Sequence, residues 1–202
     1  MNRDRQLFRV ADDIRGERQL NLQTLAEACV NRGLTVGLED IELLANNFMP
    51  KGANFTVPVE VADFICELLI PRSPKTVFDP CAFSPVLALR IAERLKPDLY
   101  IANTLSRETI ELAELVGTRG VKFETEDFVC QQGVSTQHFD AVVSCPPFGS
   151  YRRGPVSVNV NGESLLVRDD YASVALLKSC LQLERDGAVS YTHLTLPTNR
   201  EV

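Results

Sequence analysis

Four polar side chains stand where short apolar runs of this chain end. Asp79 closes Thr76-Val77-Phe78-Asp79, and Asn103 follows Leu99-Tyr100-Ile101-Ala102. Asp127 comes just after Val121-Lys122-Phe123, and Cys145 follows Phe139-Asp140-Ala141-Val142-Val143-Ser144. If these runs are parallel strands, the four groups gather beyond the strands' carboxyl ends, where open α/β sheets bind ligands. Other chemistries are poorly served. His138 and His193 are the only histidines, which leaves little for a catalytic triad. The six cysteines contain no Cys-x-x-Cys pair, so no metal site is expected. They read as reduced thiols of a cytoplasmic protein. Cys145 invites a nucleophile's role, but a buried thiol at a strand end is the simpler reading. Asp79, likewise, either serves a ligand or caps the following helix.

The elements that would position these groups follow from periodicity. Leu7, Val10, Ala11 and Ile14 share one helical face; Leu22, Leu25, Ala26 and Cys29 share another. Gly33 then sits where a helix C-terminal glycine belongs, and Ile41, Leu44, Ala45 and Phe48 mark a third helix. Met49-Pro50-Lys51-Gly52 breaks the chain, so residues 1–50 read as a small helical element with its linker. From Pro58 onward helices and strands alternate. Helices are expected near Val61–Leu68, Val86–Leu95, Arg107–Val116 and Tyr171–Leu183, with a fifth strand starting near Gly187 and interrupted there. That rhythm is the signature of an α/β fold with a parallel sheet covered on both faces.

Composition sets the outer bounds. The chain has 202 residues, 45% apolar and 24% charged, which is ordinary for a globular domain with a real core. No apolar run approaches the roughly 20 residues of a membrane helix, so no membrane partner is expected. The net charge of −6 argues that any grip on nucleic acid needs a local basic patch, such as Arg152-Arg153, or another domain. Residues 189–199 back-translate onto the transposase adapter of sequencing libraries. Residues 189–202 are therefore expected to be read-through, and are set apart from functional reasoning.

Four segments, in order, resemble one family. Ala53 to Val61, with Phe55 and Pro58, is similar to a Phe-Tyr-Thr-Pro-x-Glu-Val segment. Val77-Phe78-Asp79-Pro80-Cys81-Ala82-Phe83-Ser84-Pro85 is similar to Asp-Pro-Cys-Ala-Gly-Ser-Gly with its preceding strand. Glu126-Asp127-Phe128 resembles Gly-Asp-Phe, and Phe139 to Gly149 resembles Phe-Asp-x-Val-x-x-Asn-Pro-Pro-Phe-Gly. Together they resemble the adenine-N6 DNA methyltransferases, above all the modification subunits of type I restriction systems. The resemblance implies a Rossmann-like class I S-adenosylmethionine-dependent fold over residues 51–188, without its last strands. It implies S-adenosylmethionine as cofactor, held by Phe55, Pro58, Asp79, Pro80, Ala82, Phe83, Asn103, Asp127 and Phe128. It implies DNA as substrate, with specificity or restriction subunits as partners. Cys145, Pro146, Pro147 and Phe148 would face an adenine flipped out of the stack.

The departures fall on the most demanding positions. Phe83 and Pro85 stand where the family has glycines, which let backbone approach a ligand. Asn103 stands where an acid would hold the cofactor ribose, and Cys145 where an Asn would accept the amine's hydrogens. A thiol is a weak acceptor. The expectation is a weakened or inactive methyltransferase, with a non-catalytic scaffold as the alternative.

Overall fold

The short apolar runs read from the sequence lie side by side. The computed structural model describes residues 3–16, 20–48, 56–130, 137–146, 155–160, 163–167 and 171–191. Its central sheet contains β1 (Thr76–Asp79), β2 (Leu99–Asn103), β3 (Val121–Glu124), β4 (Phe139–Ser144) and, last in the chain, β7 (Leu183–Tyr191). Their order is β3-β2-β1-β4-β7, and every pairing is parallel. β1 and β4 are neighbours, so Asp79 and Cys145 stand at adjacent strand ends. The alternation of side chains along each strand sends successive residues to opposite faces. Val77, Tyr100, Ala102, Val121 and Val143 enter one core; Phe78, Ile101 and Val142 enter the other.

The first core is the larger. It joins that sheet face to α4 (Val59–Leu69) and α5 (Pro85–Leu95), and to the amino-terminal helices α1 (Arg3–Ile14), α2 (Leu22–Asn31) and α3 (Leu38–Phe48). The helical element thus shares one continuous apolar cluster with the sheet. Polar contacts fix its seat. The Leu22 amide donates to Glu108 of α6 (Arg107–Val116) at 3.0 Å. Pro58 offers α4 no side-chain cap, and Glu42 of α3 accepts the Val59 amide instead at 2.8 Å. Arg90 of α5 reaches both carboxylate oxygens of Asp63 on α4, at 2.7 and 2.9 Å.

The second core is closed by α7 (Tyr171–Leu181), whose Val174 and Ala175 pack on Phe78, Phe139 and Val142. Between β4 and α7 runs an antiparallel hairpin, β5 (Val156–Val160) with β6 (Glu163–Val167). The sequence reading placed no element there. Yet Val156, Val158 and Val160 alternate with polar residues and precede Asn161-Gly162, a strong hairpin pattern. Val158 is the residue that buries itself against α7.

β7 also departs from expectation. It starts at Leu183, pairs with Phe139, and then bulges before regular pairing resumes at Ala188 opposite Ala141. Gly187 makes the bulge feasible: a Cβ there would meet Glu184 O at 3.0 Å and Phe139 O at 3.1 Å. The regular ladder continues through Val189, Ser190 and Tyr191, so these three residues of the set-apart tail belong to the sheet. Among the described residues, no helix is long and apolar enough to cross a membrane.

At the amino ends of the strands, Asp140 ties β4 to β1. One carboxylate oxygen, Oδ2, accepts from the Lys75 amide, the Thr76 amide and the Thr76 hydroxyl, at 2.8, 2.9 and 3.1 Å. These bonds, the Thr76 amide's first, hold the carboxyl below its usual pKa. A carboxyl so depressed contributes stability above its unfolded pKa and loses it as pH falls through the folded value. Its partial exposure screens the effect. Asp140→Ala is expected to lower the unfolding free energy by about 1 kcal/mol at pH 7 in urea titrations. The gap between variant and parent should shrink below about pH 4; a pH-independent gap would refute the assignment.

Candidate functional site

Three loops meet beyond the carboxyl ends of β1, β2 and β3, and each is shaped by bonds that its own residues make. After β1 the chain runs through Pro80, Cys81, Ala82 and Phe83 to Ser84, the N-cap of α5. The Ser84 hydroxyl accepts the Val86 amide at 3.4 Å, and Pro85 takes the first helical position. A proline suits that place because its missing N–H would have had no helical partner. None of residues 80–84 adopts a positive φ. The loop therefore runs without the freedom that glycines would supply, on a path that Phe83 and Pro85 can follow. Thr109 of α6 pins it by donating to the Phe83 carbonyl at 2.7 Å, and the Ala82 amide donates to the Asn103 carbonyl at 2.8 Å.

Asn103 is the hub. It is 3% exposed at the end of β2. Its Oδ1 accepts the Glu126 amide at 2.8 Å, while its Nδ2 donates to the Glu126 carbonyl at 2.8 Å and to the Pro80 carbonyl at 3.5 Å. One carboxamide thus clamps the loop after β3 by both backbone groups of one residue, and touches the loop after β1 as well. An aspartate could not do this, since it has no donor for the two carbonyls.

The loop after β3 is held from below too. Asp127 Oδ1 accepts the Cys130 amide at 2.9 Å. Phe128 meets Phe78 edge-on, with ring centroids 5.4 Å apart. Lys178 of α7, 1% exposed, donates to the carbonyls of Phe128 and Val129 at 2.8 and 3.2 Å and lies 5.6 Å from the Phe128 ring centroid. Burial lowers its pKa, and nearby Cys130 and Asp127 partly offset this.

Between the loops is a cavity of about 260 Å3. Pro80, Cys81, Ala82 and Phe83 form one wall; Asn103, Thr104 and Leu105 a second; Glu126, Asp127, Phe128, Val129 and Cys130 a third; Tyr171 of α7 completes it. Its volume is slightly below the range usual for drug-sized ligands. Phe83, 40% exposed, lies in the first of these walls.

Seven of the expected residues thus gather at this end of the sheet. Pro80, Ala82, Phe83, Asn103, Asp127 and Phe128 line the cavity, and Asp79, buried at the end of β1, immediately precedes Pro80. Pro58 is exposed at the start of α4 and does not line it. Cys145 does not line it either. It is 8% exposed and packs in the first core. Pro146 is buried beside it. Phe55, Pro147, Phe148 and Arg152-Arg153 lie outside the described residues. The sequence reading gave no site role to Cys81, Thr104, Leu105, Glu126, Val129, Cys130, Tyr171 or Lys178. Lys178 had left a signal: it shares the buried stripe of Val174 and Ala175 in an apolar helix. Among the described residues, no group of three or more His, Cys, Asp or Glu side chains is arranged to hold a metal.

No family model and no curated protein sequence matches the chain. Its fold is similar to a Listeria monocytogenes protein described as a class I S-adenosylmethionine-dependent methyltransferase. The TM-score is 0.65 at 14% identity, over 94% of this chain and 72% of that one. Looser likenesses, with TM-scores of 0.46 at 16% identity, link it to Streptomyces venezuelae DesVI and to coclaurine N-methyltransferase; the chain spans 52% and 55% of these. The chain has the Rossmann-like class I methyltransferase fold.

Asp79 gives this site a measurable pH signature. It is 1% exposed, and burial pushes its carboxyl up to about 7. The Cys81 amide, donating to Oδ1 at 3.0 Å, partly opposes this. Ser144 opposes it less, since its hydroxyl falls short of hydrogen-bond geometry. With the folded pKa raised, the stabilising effect is complete below the ordinary carboxylate range and is lost as pH rises towards 7. Relative to Asp79→Asn, the parent should lose about 1 kcal/mol of stability per pH unit between about pH 5 and 7. Parallel pH profiles for the two proteins would show that Asp79 is not held in this way.

Proposed function

We propose that this chain is an S-adenosylmethionine-binding domain related to the adenine-N6 DNA methyltransferases, with methyl transfer impaired at its acceptor position. The carrying observation is the cavity itself. It is formed by the three loops that follow β1, β2 and β3, in a parallel sheet of the methyltransferase fold. Its chemistry suits an adenosine group. Phe83, Leu105 and Tyr171 offer flat and aliphatic surface, and Glu126 offers a carboxylate with no partner among the described residues. When bound, the cofactor supplies an electrophilic methyl group.

The rest falls to the chain's own residues. The clamp at Asn103 keeps the loops after β1 and β3 at a fixed separation, so little ordering is left for binding to bring about. Lys178 and the Phe78–Phe128 contact hold the floor. By the resemblance of its segment, Cys145 at the end of β4 takes the position of an amide that would accept hydrogens from the attacking amine. A buried thiol accepts weakly and leaves that amine poorly held. Losing one such preorganised group lowers a rate about a hundredfold or more.

The adenine acceptor and the link to a DNA-modification system rest on the sequence of the segment from Phe139 to Gly149, whose described residues, through Pro146, run along β4 next to β1. DNA is then the macromolecular partner, in a cytoplasmic restriction–modification or related defence assembly with specificity or restriction subunits. The same observations serve a second reading, in which the domain binds cofactor and partners without turnover. Cys145 at the acceptor position favours it.

The test has two parts on the full chain. Calorimetry with S-adenosylhomocysteine should give micromolar binding; absence of binding would refute the cofactor reading. Tritiated methyl incorporation into unmethylated DNA should stay at background for the parent and rise at least tenfold in Cys145→Asn. Vigorous adenine methylation by the parent would refute the impairment.

A further inference from the structure

We infer that Glu126, rather than a residue at the end of β2, binds the ribose diol of the nucleoside in this cavity. The inference rests on the cofactor reading above and concerns how this chain recognises the ligand. A vicinal diol presents two adjacent hydroxyl donors, and a carboxylate with both oxygens available is the group that accepts them together.

The polar groups lining the cavity are few, and most are already engaged. Asn103 spends both ends of its carboxamide on Glu126 and Pro80. Asp127 gives an oxygen to the Cys130 amide. The Thr104 hydroxyl accepts the Ser106 amide at 3.1 Å. Glu126 is different. Its backbone amide and carbonyl are both held by Asn103, yet its carboxylate has no hydrogen-bond or ionic partner among the described residues. The residue is exposed and lines the cavity.

The two facts have one cause. Because Asn103 grips the main chain of Glu126 at 2.8 Å on both sides, the position of its Cα is fixed while its side chain remains available. An asparagine at the end of β2 is therefore not a damaged acid here. It is the support that presents an acid from the neighbouring loop. An exposed carboxylate that meets a ligand's hydroxyls binds best when its own backbone need not be ordered first.

Calorimetry on the full chain tests this with S-adenosylhomocysteine and its 2′,3′-dideoxy analogue, against the parent, Glu126→Ala, Glu126→Gln and Asn103→Asp. The parent should bind the diol at least tenfold more tightly than the dideoxy compound. In Glu126→Ala that preference should vanish, with the dideoxy affinity and the unfolding midpoint unchanged. Glu126→Gln should fall between. Asn103→Asp should weaken binding, since it loses the donor that holds Glu126. Three results would overturn the inference alone: equal binding of both ligands by the parent, a preference that survives Glu126→Ala, or tighter binding by Asn103→Asp. If the parent binds neither compound, the cofactor reading falls, and this inference with it.

Discussion

A single carboxamide sets the geometry at the functional end of this protein. Asn103 receives the Glu126 amide and donates to the Glu126 carbonyl, and the same Nδ2 reaches the Pro80 carbonyl. Three loops that the sheet merely brings near one another are thereby held at defined distances. The bonds are made in a site only 3% exposed, where water competes little for them. Each loop then adds its own anchor. Thr109 holds the first at Phe83, and Lys178 holds the third at Phe128 and Val129. The cavity is what remains between loops fixed in this way.

The sheet makes that arrangement reachable. Parallel pairing puts the ends of β1, β2 and β3 on one side, and the two cores press on the sheet from opposite faces. The face covered by α4 and α5 is continuous with the helices α1 to α3, so the amino-terminal element supports the same layer that carries Asp79 and Tyr100. The other face depends on α7, which supplies both apolar cover and the buried ammonium group of Lys178. A helix that closes a core and also donates to the cavity floor couples packing to the shape of the site.

Much of the fold was legible because it is written in local patterns. The runs at 76–79, 99–102, 121–123 and 139–144 are short, apolar and bounded by turn residues, and all four lie in strands of one parallel sheet. The hairpin at Val156–Val167 was equally written, in its valine alternation and its Asn-Gly pair. The bulge of β7 was not legible. It depends on the close approach of Gly187 to Phe139, a contact between strands far apart in the chain. For the site, sequence named residues of three loops that lie around one cavity, and it did not carry how two of them are held. Phe83 stands in the cavity wall, and Asn103 clamps the loop after β3. A motif records which residue occupies a position, while the bonds it makes depend on which backbone groups lie across from it.

Hydrogen exchange on the full chain, with and without saturating S-adenosylhomocysteine, tests the central claim most directly. If the Asn103-clamped loops form the nucleoside cavity, added protection should concentrate in residues 80–84, 103–106 and 126–130. The amides of β7 at 183–191 should exchange as before. Protection confined to other segments, or none in the three loops at saturation, would contradict the account.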